Sequence, residues 1–117
     1  PASRVLALEQ LDKVLAVRPD LSRARYIQGA LYYELKDNDQ ALTSFKASLT
    51  LDPEQPTGWY ALATLYDRME NYPEAYAACQ KVLEYLPSTD HSNDLYGVSL
   101  HAKWLMEKLA PFVKEVD

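Results

Sequence analysis

The sequence predicts an all-α solenoid of about six helices, arranged as consecutive antiparallel pairs. Three observations predict it. Proline, alanine and leucine recur at a constant interval, apolar residues within each interval follow a helical period, and short polar segments separate the apolar stripes. A unit of two helices joined by a tight turn and repeated along the chain accounts for all three.

The interval is 34 residues. Because proline ends a helix, its recurrence at this spacing indicates that one supersecondary unit is repeated in tandem. The residues that recur are Pro19, Pro53 and Pro87, then Ala7, Ala41 and Ala75, and then Leu15, Leu49 and Leu83.

The first complete unit is residues 22–55, and it contains two apolar stripes with helical spacing. Between them, Asp37 and Gln40 have the spacing of a capping box, in which the first side chain accepts from an orphan backbone N–H. We therefore expect two helices with a tight turn. The stripes are Tyr26, Ile27, Ala30, Leu31 and Leu35, and then Ala41, Leu42, Phe45, Ser48, Leu49 and Leu51.

The second complete unit is residues 56–89, and it repeats this pattern. Asn71 and Glu74 again have capping-box spacing, and Pro73 falls in the first turn of the second helix, where a missing N–H is tolerated. The stripes are Trp59, Tyr60, Leu62, Ala63, Leu65 and Tyr66, and then Ala75, Tyr76, Cys79, Val82 and Leu83.

The two ends are incomplete units. Residues 1–21 match only the second helix of a unit, and their apolar stripe of Leu8, Leu11, Val14 and Leu15 lacks part of its partner. Two interpretations stay open: the chain is a segment of a longer repeat protein, or a second copy covers this stripe and the chain self-associates. Residues 90–117 are expected to form a capping helix and tail, because a helical stripe continues through Trp104, where a turn is due.

These residues resemble the tetratricopeptide repeat, whose pattern is W-x2-L-G-x2-Y, then A-x3-F, then P. The first unit departs from it with Arg25 and Gln28 in place of Trp and Leu. The resemblance implies a right-handed superhelix with a concave face that binds a peptide of a partner protein. The second unit supplies the pattern with Trp59, Leu62, Ala63, Tyr66, Ala75, Cys79 and Pro87.

The concave face implied by the resemblance is lined by the first helix of each unit. Its tyrosines offer apolar ring area together with a hydroxyl for a peptide backbone, although they could instead only pack between helices. The implied peptide-binding residues are Arg23, Tyr26, Ala30, Tyr33 and Glu34, then Thr57, Tyr60, Thr64, Asp67 and Arg68, and then Asp94, Val98 and His101.

One type of partner is not expected. Family members that hold the C-terminal carboxylate of chaperones use basic and amide side chains at fixed inner positions. In this sequence the matching positions are Tyr26, Ala30, Ala61, His91 and Leu95. We therefore predict no carboxylate clamp.

Composition restricts the remaining functions. The 117 residues carry a net charge of −5, which disfavours nucleic acid as a partner, and they contain no apolar run long enough to enter a membrane. The sequence has one cysteine, Cys79, on a buried stripe, where we expect a packed and inert thiol, and its two histidines lie ten residues apart with no cysteine or acidic residue at ligand spacing. It has no catalytic motif. We expect a non-catalytic protein-binding module without cofactor or metal. The alternatives are an assembly element or a regulatory segment of a larger enzyme, and the compartment is left open between cytoplasm and periplasm.

Overall fold

A computed structural model describes residues 2–86 and 96–113, which form six α-helices and no strand. The fold is therefore the all-α helical repeat that the sequence predicts. Pro87, His91, Asp94 and Leu95 lie outside the described residues. The helices are α1 (Ala2–Val17), α2 (Ser22–Glu34), α3 (Asn38–Leu51), α4 (Pro56–Arg68), α5 (Tyr72–Tyr85) and α6 (Tyr96–Val113).

The helices form two compact units, α1–α3 and α4–α6. In the first unit, α2 packs against α3 as a hairpin and also contacts α1. In the second unit, α5 packs against both α4 and α6, and α4 touches α6. Each unit thus contains one complete hairpin of the predicted repeat.

Both hairpin turns have the same backbone conformation. Lys36 and Glu70, one repeat apart, have φ of 63° and 61°, which is the left-handed region that L-residues rarely adopt. In the first turn, the N–H of Asp37 donates to the carbonyl of Tyr32, and the N–H of Lys36 donates to that of Tyr33. The second turn repeats both bonds 34 residues later. These are the paired bonds of a Schellman motif, which ends the first helix and reverses the chain.

The predicted caps differ between the two units. The Asp37 carboxylate accepts a hydrogen bond from the backbone N–H of Gln40 at 3.2 Å, which confirms the first capping box. The prediction for Asn71 is wrong, because its side chain makes no capping bond. Pro73, at the second position of α5, has no N–H, so one of the two donors that such a cap can bind is missing.

Small residues and large apolar side chains alternate in the two cores. In α2, a Cβ built on Gly29 would lie 2.6 Å from the ring of Phe45 on α3, so this helix contact requires glycine. In the second unit, the same two positions hold Ala63 and Cys79, both fully buried. The fully buried residues of the second unit are Ala63, Leu65, Ala75, Cys79, Val82, Ser99, Ala102 and Leu109.

The stripe of α1 is only partly covered. Leu8 and Leu15 are buried within the first unit, whereas Val14 is 44% exposed and Leu11 is half-buried. The stripe is thus covered at Leu8 and Leu15 and partly uncovered at Leu11 and Val14. Leu8 and Leu15 face the packed side of the helix, and Val14 faces away from it.

The last helix runs on where the earlier repeats turn. Trp104 occupies the position of Lys36 and Glu70, and it lies inside α6. A bulky aromatic residue is disfavoured in the left-handed region, so the chain continues as helix. The helix passes through Pro111 and ends at Val113.

Candidate functional site

One face of α4 carries the predicted residues of the second unit. Thr57, Tyr60, Thr64, Asp67 and Arg68 are all half-buried, at the spacing of one helical face. The Thr64 hydroxyl donates to the carbonyl of Ala61 at 2.8 Å, which leaves its oxygen only as an acceptor for a ligand. This face therefore combines a phenol, hydroxyl groups and both signs of charge.

An aromatic row links α4 to α6. It consists of Tyr60, His101 and Trp104. The hydroxyl of Tyr60 shares a hydrogen bond with Nδ1 of His101, and the two ring centroids are 5.4 Å apart in an edge-to-face arrangement at 67°. His101 then stacks on Trp104 with centroids 5.4 Å apart and the planes at 19°. The imidazole is thus held between a phenol and an indole, and its orientation is fixed from both sides.

A charged pair adjoins the aromatic row. Nζ of Lys108 lies 5.6 Å from the ring centroid of Trp104 and 3.7 Å from Oδ2 of Asp67. The ammonium group therefore interacts with an aromatic face and with a carboxylate, each of which attracts a cation. The charges of Lys108 and Asp67 therefore offset each other at this end of the surface.

The aromatic row remains open to solvent. Trp104 is 55% exposed, whereas the equivalent positions of the earlier repeats are turn residues. An aromatic side chain exposed to this extent, beside a half-buried tyrosine, offers apolar area to a partner. It also keeps an indole N–H as a donor.

Cys79 lies behind this surface. It is fully buried, and burial raises the pKa of its thiol to about 12, with the negative charge of Asp67 adding to the shift. The thiol therefore stays protonated at neutral pH and is a poor nucleophile. The predicted role of Cys79 as a packed, inert residue agrees with this environment.

The predicted residues of the first unit have other contacts. The Tyr26 ring packs against Phe45 with centroids 5.8 Å apart, so part of this side chain belongs to the core. Glu34 is ion-paired with Arg4 of α1. Arg23 is exposed on α2. The remaining two residues of this set, Ala30 and Tyr33, are half-buried.

On α6, Val98 is half-buried and His101 is exposed, one helical turn apart. Its hydrogen bond with the Tyr60 hydroxyl brings His101 of α6 together with α4. Asp67 reaches α6 through Lys108. Of the predicted set, Asp94 lies outside the described residues.

Sequence reasoning missed Trp104 and Lys108. Both lie on the face of α6 that carries His101, at i+3 and i+7 from it, and this spacing could have identified them. Neither residue received a place in the predicted binding face, because the continuing helix takes both of them out of the 34-residue pattern.

The described residues contain no group of three or more His, Cys, Asp or Glu side chains that could hold a metal ion. Within 2–86 and 96–113, no helix is both long and apolar enough to cross a bilayer.

Two family models match the chain. One, described as a TPR repeat, matches residues 29–70, and one described as a tetratricopeptide repeat matches residues 56–89. Together they cover both hairpin turns and α4. The match to residues 56–89 has the bounds expected for the second unit from the proline interval.

Two curated proteins show similarity at lower identity. The mouse (Mus musculus) protein O-mannosyl-transferase TMTC1 is 28% identical over 87 residues, which is 71% of this chain and 9% of that protein. The general transcriptional corepressor ssn6 of Schizosaccharomyces pombe is 27% identical over 93 residues, which is 78% of this chain and 8% of that protein. The chain thus spans less than a tenth of either relative.

Solved structures share the fold. A crystal structure of the MamA protein superposes with a TM-score of 0.71 at 21% identity, covering 95% of this chain and 61% of that one. A second MamA crystal structure gives a TM-score of 0.69 at 20% identity, covering 92% of this chain and 63% of the other. At these identities the likeness concerns the fold.

Proposed function

Because this chain belongs to the tetratricopeptide repeat family, whose repeats serve as protein–protein interaction modules, we propose that the surface of α4 and α6 carrying the aromatic row binds a peptide segment of a partner protein. The proposal rests on one observation. Trp104 is 55% exposed and stacks on a histidine that Tyr60 holds in place. An exposed aromatic side chain in a fixed orientation suits binding, because little rotamer freedom is lost when a partner covers it.

The surface also defines the chemistry of the peptide. The indole N–H, the Thr64 oxygen and the Tyr60–His101 pair offer hydrogen bonds to a peptide backbone, and the rings offer area to apolar or proline side chains. Lys108 is balanced by Asp67, so no strong net charge selects an acidic or a basic segment. The peptide is therefore an apolar-rich segment, bound within its chain rather than by its terminal carboxylate.

The proposal includes a second face, on α2. Its residues are Arg23, Tyr26, Ala30, Tyr33 and Glu34. Tyr26 contributes to it only with the portion of its ring that Phe45 does not cover. The two faces are tested separately, because each lies on its own unit.

The experiment begins with peptides selected from a random-sequence display library on the whole chain. Affinities of the selected peptides are then measured for the chain and for Trp104→Ala. The matched control is Phe112→Ala, since Phe112 is an exposed aromatic residue of the same helix, at 52%, in contact with Tyr72 rather than with the aromatic row.

We expect Trp104→Ala to weaken binding about tenfold or more and Phe112→Ala to leave it within about twofold, as for loss of one central aromatic contact. Amidation of the peptide carboxyl terminus should not change the affinity. Equal affinities of the chain and Trp104→Ala would exclude the aromatic row as the site. Loss of binding on amidation would instead show that a terminal carboxylate is recognised.

A further inference from the structure

The ammonium group of Lys108 lies between side chains of two helices. Its Nζ lies over the ring of Trp104, 5.6 Å from the centroid, and 3.7 Å from Oδ2 of Asp67. Trp104 belongs to α6, as Lys108 does, whereas Asp67 belongs to α4. An aromatic face and a carboxylate both attract a cation. Trp104 and Asp67 therefore form a cation site, and a lysine of the same chain occupies it.

The contact of Lys108 with this site is loose. Its distance of 3.7 Å to Asp67 is long for an ion pair, and the side chain of Lys108 is 50% exposed. A solvent-exposed pair of this kind contributes little to stability, because water screens the charges and the long side chain loses rotamer freedom. The Asp67 side chain is only 28% exposed, so its position is more strongly restrained. Lys108 is therefore a replaceable occupant of the site.

We propose that the cation site takes an arginine side chain of the bound peptide, which displaces Lys108. This inference rests on the proposed peptide binding by the aromatic row, and it identifies one residue of the peptide. The guanidinium of arginine is planar, so it stacks on an aromatic ring such as Trp104 and pairs with a carboxylate through several N–H donors. A lysine ammonium is a more strongly hydrated point charge, and it gains less from both groups.

The exchange leaves the charge of the surface unchanged. When the peptide arginine enters, one cation replaces another beside Asp67, and Lys108 moves into solvent, to which it is already half exposed. Without the exchange, two cations would share one carboxylate and repel each other. The peptide is thus still an apolar-rich segment, with a single arginine that meets Trp104.

A second lysine of the same unit lies over a tryptophan in a different setting. Nζ of Lys81 is 6.0 Å from the ring centroid of Trp59 and 3.4 Å from Oε2 of Glu84. Glu84 follows Lys81 by three residues on the same helix, and its side chain is 56% exposed, so this carboxylate is less restrained than Asp67. Trp59 is half-buried. Lys81 therefore provides a matched control, because its removal changes the net charge by the same amount.

The test uses Nα-acetylarginine amide as the probe and Nα-acetylcitrulline amide, its uncharged isostere, as the reference. Binding to the whole chain is followed by NMR through the indole N–H signal of Trp104, which reports on the site itself. The variants are Lys108→Ala, which empties the site, and Lys108→Ala combined with Asp67→Asn, which removes the carboxylate charge. The control is Lys81→Ala. Circular dichroism verifies that each variant keeps its helices.

We expect Lys108→Ala to bind the arginine probe about fivefold more tightly than the original chain does, because the competing ammonium is gone. Lys81→Ala should match the original chain. Adding Asp67→Asn should reverse the gain, and the citrulline probe should bind all four proteins equally weakly. Peptides selected by display on the whole chain should carry an arginine at one fixed position.

Equal affinity of Lys108→Ala for the two probes overturns the proposal, and so does a gain that persists with Asp67→Asn. Selected peptides that need Trp104 but carry no arginine also overturn it, while the proposed peptide binding stands. Peptides that bind Trp104→Ala as tightly as the original chain overturn the proposed function and this proposal together. The Trp104→Ala variant thus distinguishes the two failures.

Discussion

The side chain of Ser44 on α3 donates a hydrogen bond to Oε1 of Gln28 on α2 at 3.0 Å, and Nε2 of Gln28 donates to Oδ1 of Asp12 on α1 at 3.4 Å. Gln28 is one of the two residues at which the first unit departs from the family pattern. One buried amide thus connects all three helices of its unit. At the equivalent positions the second unit has Leu62 and Ala78, which are 4% and 3% exposed.

The first prediction concerns this polar pair. Gln28→Leu restores the family residue but leaves the buried Ser44 hydroxyl without its acceptor, so the free energy of unfolding should fall by about 1 kcal/mol. Gln28→Leu with Ser44→Ala copies the second unit and should recover that loss. Urea denaturation measures both. If Gln28→Leu alone is as stable as the original chain, the hydrogen bond between Ser44 and Gln28 contributes nothing to the free energy of unfolding.

The second prediction concerns Gly29 and Phe45. Gly29→Ala gains helix propensity of about 1 kcal/mol but forces a methyl group against a buried ring, which costs about 1–3 kcal/mol, so the net loss should reach about 2 kcal/mol. In a Phe45→Cys background, which reproduces the Ala63–Cys79 pair, Gly29→Ala should be neutral or stabilising. A double-mutant cycle of unfolding free energies measures this coupling. Additive effects would contradict the prediction.

The third prediction concerns the two turn residues. Lys36 and Glu70 hold a left-handed conformation that glycine adopts without strain, with φ of 63° and 61°. Lys36→Gly and Glu70→Gly should each stabilise the chain by about 0.5–1 kcal/mol, after the larger backbone entropy of glycine in the unfolded state is subtracted. Lys36→Ala is the control and should give no gain. Thermal unfolding followed by circular dichroism is the measurement.

The fourth prediction concerns Cys79 and pH. Its folded pKa is raised from 9.0 to about 12, so the unfolded state loses the thiol proton first as the pH increases. The stabilising contribution is therefore complete below pH 9.0 and is lost as the pH rises towards about 12. The difference in unfolding free energy between the chain and Cys79→Ala should therefore shrink over that window. Taking this difference cancels the titration of tyrosines and lysines, which both proteins share. A constant difference would contradict the raised pKa.

The fifth prediction separates two tyrosines of the candidate face. Tyr26 packs on Phe45, so Tyr26→Ala should lower both the unfolding free energy and peptide affinity. Tyr60 lies in the aromatic row, so Tyr60→Ala should lower affinity with little change in stability. The double variant should keep its helicity and bind peptide most weakly. Unchanged affinity in the double variant would move the site away from both faces.

Much of the fold follows from local sequence. The 34-residue interval predicted the hairpins. The spacing of Asp37 and Gln40 predicted the cap of α3, because a short polar side chain at this position binds a backbone N–H within the same turn of helix. Asn71 had the same local signal and makes no cap, since Pro73 changes which donors are present. Local patterns succeed where one turn of backbone determines the outcome.

The candidate site was less accessible to sequence reasoning. His101 was placed on the inner face by register, but its hydrogen bond with Tyr60 joins α6 to a residue of α4 that lies 41 positions earlier in the chain. The register also assigned Trp104 no role, because the turn that it replaces is absent from α6. A contact between distant segments depends on the packing of both helices.

The amino-acid sequence by itself determined the repeat length, the two hairpins and the buried, inert position of Cys79. These features depend on the period of apolar residues and on proline and cap residues, which act over a few residues of chain. Tertiary packing determined that Gln28 bridges three helices, that Leu8 and Leu15 are covered while Val14 is not, and that Tyr60 of α4 meets His101 of α6. Each of these depends on which side chains from remote segments come within a few ångströms of one another, and a linear pattern does not contain that distance.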